Sequence, residues 1–144
     1  MNYIWLALAA GAGAGIALQA TVNGSLRAHV GSPWYATYFS IWGTFLTANL
    51  FSLLVRPALP AAAEIGSTPW WNWIGGPLGA LIVLSGAALI PRLGAAAFIA
   101  AAVGGQLLFS LVLDHFGWLD LAERSLTPGR LLGAVMVFSG VMMV

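Results

Sequence analysis

Five long apolar runs, with each charged side chain lying between them or near an end, limit this chain to one kind of fold. They cover residues 3–28, 33–55, 70–90, 93–115 and 128–144. A helix needs ~20 apolar residues to cross a bilayer core, so four runs suffice and the fifth, at the chain end, is marginal. Only 6% of residues are charged and 60% are hydrophobic, whereas soluble domains average about 25% charged residues. The expected fold is therefore an all-α membrane protein, with five transmembrane helices in a single domain over residues 1–144. The small residues before Gly13 mimic a cleavage site. With no basic residue ahead of them and an apolar run continuing past Ala20, they read as a retained helix.

Local punctuation agrees with these divisions. Ser32-Pro33, Thr68-Pro69 and Thr127-Pro128 each set a hydroxyl before a proline, the pattern of a helix start. Pro91 is expected to close the third helix and Gly117 to cap the fourth. Trp34, Tyr35, Trp70, Trp71, Trp73 and Trp118 fall at helix ends, where amphipathic rings sit in the headgroup layer.

All five basic residues are arginines near helix ends: Arg27, Arg56, Arg92, Arg124 and Arg130. With five spans, Arg56, Arg124 and Arg130 share one side and Arg27 and Arg92 the other. Three against two is a weak vote under the positive-inside rule. Two readings remain: a single orientation with the N-terminal side in the cytoplasm, or insertion both ways round.

Polar residues inside the runs mark the candidate site. Gln106, Ser110 and Asp114 recur every fourth residue and share one helical face. An unsatisfied amide in hydrocarbon costs several kcal/mol, so that face must meet protein or water. Gly11, Gly15, Gln19, Asn23 and Arg27 make a second stripe, running from bare backbone through amides to charge. It is either a packing seam or the lining of a substrate cavity. Gly104 and Gly105 offer a matching close contact, since small residues let membrane helices approach. On the second helix, Tyr38, Ser40, Trp42, Thr44 and Thr47 either line the cavity or bond back to their own helix. Ser85 and Ser139, beside glycines, read as packing. Asp114 sits in a last helical turn, facing the negative end of the macrodipole. It calls for a cation such as Arg124 or Arg130, and serves as an interfacial ion pair or as a coupling or gating group.

Other chemistries find little support. His29 and His115 lie on opposite membrane faces and neither serine has a histidine at its depth, so no nucleophile and base pair up. No paired carboxylates, phosphate-binding glycine loop or metal-ligand spacing appears, so neither an enzyme nor a cofactor is expected. There is no cysteine, and the net charge of +1 is too thin for a nucleic-acid surface.

With these residues in view, the sequence resembles the short, single-repeat YdcZ-type family of the drug/metabolite transporter superfamily. The resemblance rests on Leu18-Gln19-Ala20-Thr21-Val22-Asn23-Gly24 and Pro69-Trp70-Trp71-Asn72-Trp73-Ile74-Gly75-Gly76. Pro91-Arg92-Leu93-Gly94-Ala95-Ala96, Gly105-Gln106, Asp114-His115-Phe116-Gly117 and Arg130-Leu131-Leu132-Gly133 complete it. Ala17 departs from the proline often found at that position, so any kink there rests on the glycines. The resemblance implies a bacterial inner-membrane protein in which two copies pair in opposite orientations, making ten helices. The related small multidrug resistance transporters trade protons for cations through a glutamate in their first helix. No acid lies in the first three runs here, Glu64 being in a loop, so that device lacks its carboxylate in this sequence. A chamber lined by amides suits a neutral or zwitterionic solute, or a cation held by amides and aromatic faces.

The resulting expectation is a secondary transporter of a small polar or amphipathic molecule. Gln19, Asn23 and Gln106 would bind it, helped by Ser110, Ser40, Thr44, Trp42 and Tyr38, with Asp114 coupling or gating. The expected partner is a second copy or a homologous subunit, within the bilayer. The competing expectation is a non-transporting membrane subunit, or half of a heterodimer. Single cysteines at Ala61 and at the C-terminus separate the two. Labelling of each site from both membrane faces is expected for dual insertion, and labelling from one face for a fixed subunit.

Overall fold

The computed structural model describes residues 3–144 and is helical, with no strand among the described residues. It divides after Arg92 into two compact units. The first holds α1 (Tyr3–Val30), α2 (Pro33–Val55), a short α3 (Ala62–Gly66), a 3₁₀ turn (Trp70–Trp73) and α4 (Gly75–Leu93). The second holds α5 (Ala95–Phe116), a 3₁₀ turn (Trp118–Asp120) and α6 (Pro128–Val141). Four spans are long and apolar enough to cross a membrane: α1, α2, α5, and α4 with its preceding turn. α6 has 14 residues and measures about 21 Å at the helical rise. The run expected over 128–144 thus loses its last three residues: Met142 still bonds four residues back to Phe138 O, while Met143 and Val144 bond three back, to Gly140 O and Val141 O.

Helix boundaries follow backbone chemistry. Gly31 takes a left-handed φ of 72° and returns its N–H to Arg27 O at 2.9 Å, so α1 ends in a glycine cap and α2 starts after Ser32. Of the three expected hydroxyl caps, only Thr127 accepts a bond, from the Arg130 N–H at 3.3 Å. The Ser32 side chain makes no capping bond. Thr68 donates back to Glu64 O at 2.9 Å, and the tryptophans beyond it form a 3₁₀ turn. Pro91 does not close its helix, which runs on to Leu93. In the final turn a proline deprives only the carbonyl four residues back. The chain turns instead at Gly94, at a φ of 84°.

Packing uses small residues. In the first unit Asn23 and Gly24 of α1, Ala36 of α2, and Gly86, Ala87 and Ile90 of α4 are buried. A Cβ on Gly24 would lie 3.2 Å from Ile90 Cγ2 and 3.8 Å from Pro91 Cδ. α1 and α4 therefore meet near their C-termini, which sets Arg27 and Arg92 at one end of this unit. α2 folds back along α1 and carries Arg56 to the other end. In the second unit α6 runs antiparallel to α5: Arg130 stands beside Asp114 and Val141 beside Gly104. Gly104, Leu111 and Ala134 are buried there. Large side chains such as Leu46, Phe51, Phe109 and Met136 point outward. That inversion is stable in lipid, where van der Waals packing between helices replaces the hydrophobic effect.

A Cβ at Gly104 would come within 3.3 Å of Val141, whereas one at Gly105 meets nothing within 4 Å. Gly104→Val should therefore destabilise the protein by ~1–3 kcal/mol more than Gly105→Val, both carrying the same propensity change. Tryptophan-monitored thermal unfolding in detergent measures the difference.

Candidate functional site

The first unit displays amides and aromatic rings on α1 and α2. Gln19 is exposed on α1, while Asn23, one turn later, is 4% exposed. The Asn23 Nδ2 group has no hydrogen-bond partner. On α2, Tyr38, Trp42 and Phe45 follow helical spacing and pack edge to face, with ring centroids 6.2 and 5.6 Å apart. Tyr38 and Trp42 are about half exposed and, with Ile41 and Phe45, border an open groove. This face is almost wholly apolar, and its one phenol and one indole N–H are the polar handles.

Hydroxyls here are mostly engaged with their own helix. Thr44 donates to Ser40 O at 3.1 Å, Thr47 to Gly43 O at 2.9 Å and Ser85 to Leu81 O at 2.8 Å. A hydroxyl bonded this way keeps lone pairs free and loses its proton as a donor. Ser40 is half-buried. Asn49, absent from the sequence-based candidates, donates to Phe45 O at 2.8 Å and is exposed. Its signal was the one that singled out Gln19 and Gln106: an amide isolated within an apolar helix.

In the second unit the α5 face grades from free to fastened. Gln106 and Ser110 are exposed, and Ser110 donates to Leu107 O at 2.8 Å. Asp114 forms an ion pair with Arg130, both about 30% exposed. The other end-nitrogen of Arg130 donates to Arg124 O at 2.7 Å, and the Arg124 N–H donates to Asp114 O at 2.7 Å. His115 Nδ1 accepts from the Leu126 N–H at 3.4 Å. The 117–127 loop is thus stitched to the last turn of α5, whose carbonyls would otherwise lack partners. Leu119 and Asp120 hold left-handed φ values of 59° and 63° within it. The cation that Asp114 needs against the helix dipole is Arg130.

The glycines divide similarly. Gly104 touches α6, while a Cβ on Gly11, Gly15 or Gly105 finds no atom within 4 Å. Gly24, a neighbour of the chosen stripe rather than a member, makes the tight contact on α1. No sequence signal marks it, because the burial of Asn23 beside it comes from the packing. Among the described residues, no three of His, Cys, Asp or Glu gather as metal ligands.

Long apolar helices with amides on their faces, and arginines at their ends, define a multi-pass membrane protein. The chain belongs to the YdcZ family: the family model described as "Putative inner membrane exporter, YdcZ" matches residues 4–143. Comparison with curated proteins and with solved structures finds no match. Family and helices together make this an inner-membrane, multi-pass protein of a transporter kind.

Removing the Arg130 side chain breaks the ion pair and its bonds to Arg124 O and, at 3.4 Å, Ser125 O, whereas Asp114→Asn removes only a partly exposed pair worth ~1 kcal/mol or less. Limited proteolysis should therefore cut the 117–127 loop much faster in Arg130→Ala, and only slightly faster in Asp114→Asn.

Proposed function

We propose that this protein exports a small polar or amphipathic molecule as a secondary transporter. Two copies would pair in opposite orientations and work by alternating access. The observation that carries this reading is the exposure of Gln19 on α1 and Gln106 on α5, both within helices long enough to span. Facing lipid, each amide would forfeit several kcal/mol. A second copy enclosing a wet chamber gives both of them partners. The family description as an inner membrane exporter supports the transport role and its direction.

In the paired unit, α6 serves as a fifth span in each chain, giving ten helices around a shared midplane site. Gln19, Asn23 and Gln106 bind the solute. Ser40, Thr44 and Ser110 offer hydroxyl lone pairs, and Tyr38 and Trp42 present aromatic faces. The glycine edge at Gly11 and Gly15 supplies the close contact with the other copy, which fits the open space beside it. If each chain crosses five times, Arg27 and Arg92 would fall on one membrane side and Arg56, Arg124 and Arg130 on the other, a balance that would permit both insertions. Asp114, held by Arg130, fixes the loop at the mouth and gates it.

Proteoliposomes made with wild-type protein should move candidate solutes from a panel of polar metabolites. Gln19→Ala and Gln106→Ala should each lower that flux at least tenfold while leaving the dimer intact by size-exclusion chromatography. Flux unchanged in both variants would refute the chamber.

A further inference from the structure

Asn23 is poorly matched to its surroundings in the first unit. Its side chain is 4% exposed, yet Nδ2 finds no acceptor. The adjacent Gly24 lets Ile90 come to where a Cβ would be only 3.2 Å away. α4 brings hydrocarbon to this contact through Ile90, which is itself buried. A buried donor on α1 is thus left without a partner at this contact.

Such a contact is not the arrangement that helix association alone would select. A buried amide without a partner lowers the stability of the closed packing, and an apolar residue of like size would not. Trp71 Nε1 is the other buried side-chain atom without a partner among the described residues, and it too is a donor. No carboxylate lies in the long helices of this unit to accept from either, Glu64 belonging to α3. In the closed packing neither donor finds an acceptor, and water in an open chamber would supply one to Asn23.

We propose that the meeting of Gly24 with Ile90 is a gate, and that Asn23 holds the gate off balance so that it opens readily. Closed, Ile90 packs on Gly24 and the neighbouring amide stays buried without a partner. Open, the amide reaches water and the packing loses little, because glycine offers few contacts to break. The inference rests on the transporter reading for its purpose, and on the α1–α4 geometry alone for its mechanics.

The chain has no cysteine, so Ile90→Cys gives a single thiol whose alkylation by N-ethylmaleimide reports opening. The full-length protein in liposomes should label about tenfold more slowly when Asn23→Leu is added, the change expected from removing one orphaned donor. Asn23→Ala removes the same donor without adding bulk and should slow labelling as well, which keeps the test open if leucine prevents folding. Labelling that is unchanged or faster in the folded variants overturns the gate, as it would if a bound water already satisfied the amide. Labelling requires no transport. A slowed rate in the Asn23 variants with no solute flux from the wild-type protein would therefore refute the transporter and spare the gate, and intact wild-type flux with an unmoved rate would do the reverse.

Discussion

Hydrocarbon gives a polar group nothing to bond with, and almost every feature of this chain answers that fact. Helices satisfy their own backbones, so the long apolar runs are helical. Hydroxyls turn inward on their own carbonyls, as Thr21, Thr37, Thr44, Thr47 and Ser85 do. Charges withdraw to helix ends, where Arg130 ties Asp114 to the loop beyond it. The amides cannot be hidden so cheaply. Asn49 uses its own helix, Asn23 is buried without a partner, and Gln19 and Gln106 are left outward. Function is to be sought among the groups that the fold leaves unanswered.

Close approach is the second organising element. Helices in lipid gain little from hiding apolar surface, so they associate where small side chains bring backbones together. Gly24 against Ile90 and Gly104 against Val141 are such places. Each joins elements inside one unit. The row of Gly11 and Gly15 has no neighbour of its own, which is why the proposed second copy is set there.

The helices were legible because apolar length is a strong signal that does not depend on tertiary context. Their ends were less so. Pro91 reads as a stop, but a proline in a last turn breaks one bond and the helix passes through it. Thr68 reads as a cap, but its hydroxyl finds a carbonyl four residues back first. Asp114 shows the opposite case: its awkward place at a helix C-terminus pointed to a nearby arginine, and Arg130 is there. Gly24 was passed over because nothing in a single sequence distinguishes a glycine that admits a neighbour from one that faces open space. The burial of Asn23 is likewise a property of the helix across from it and not of its own stripe.

The brevity of α6 has a consequence for the surrounding lipid. Running back along α5 from Asp114, it ends level with Gly104 and leaves the turns from Ala95 to Val103 without its company. A bilayer core is about 30 Å thick, so a stem of about 21 Å leaves a mismatch of about 9 Å. Membranes answer such mismatch by thinning locally or by letting flanking groups stretch toward the headgroups. Acyl-chain length thereby becomes a variable acting on this edge of the protein, and thinner membranes would suit it better than thick ones.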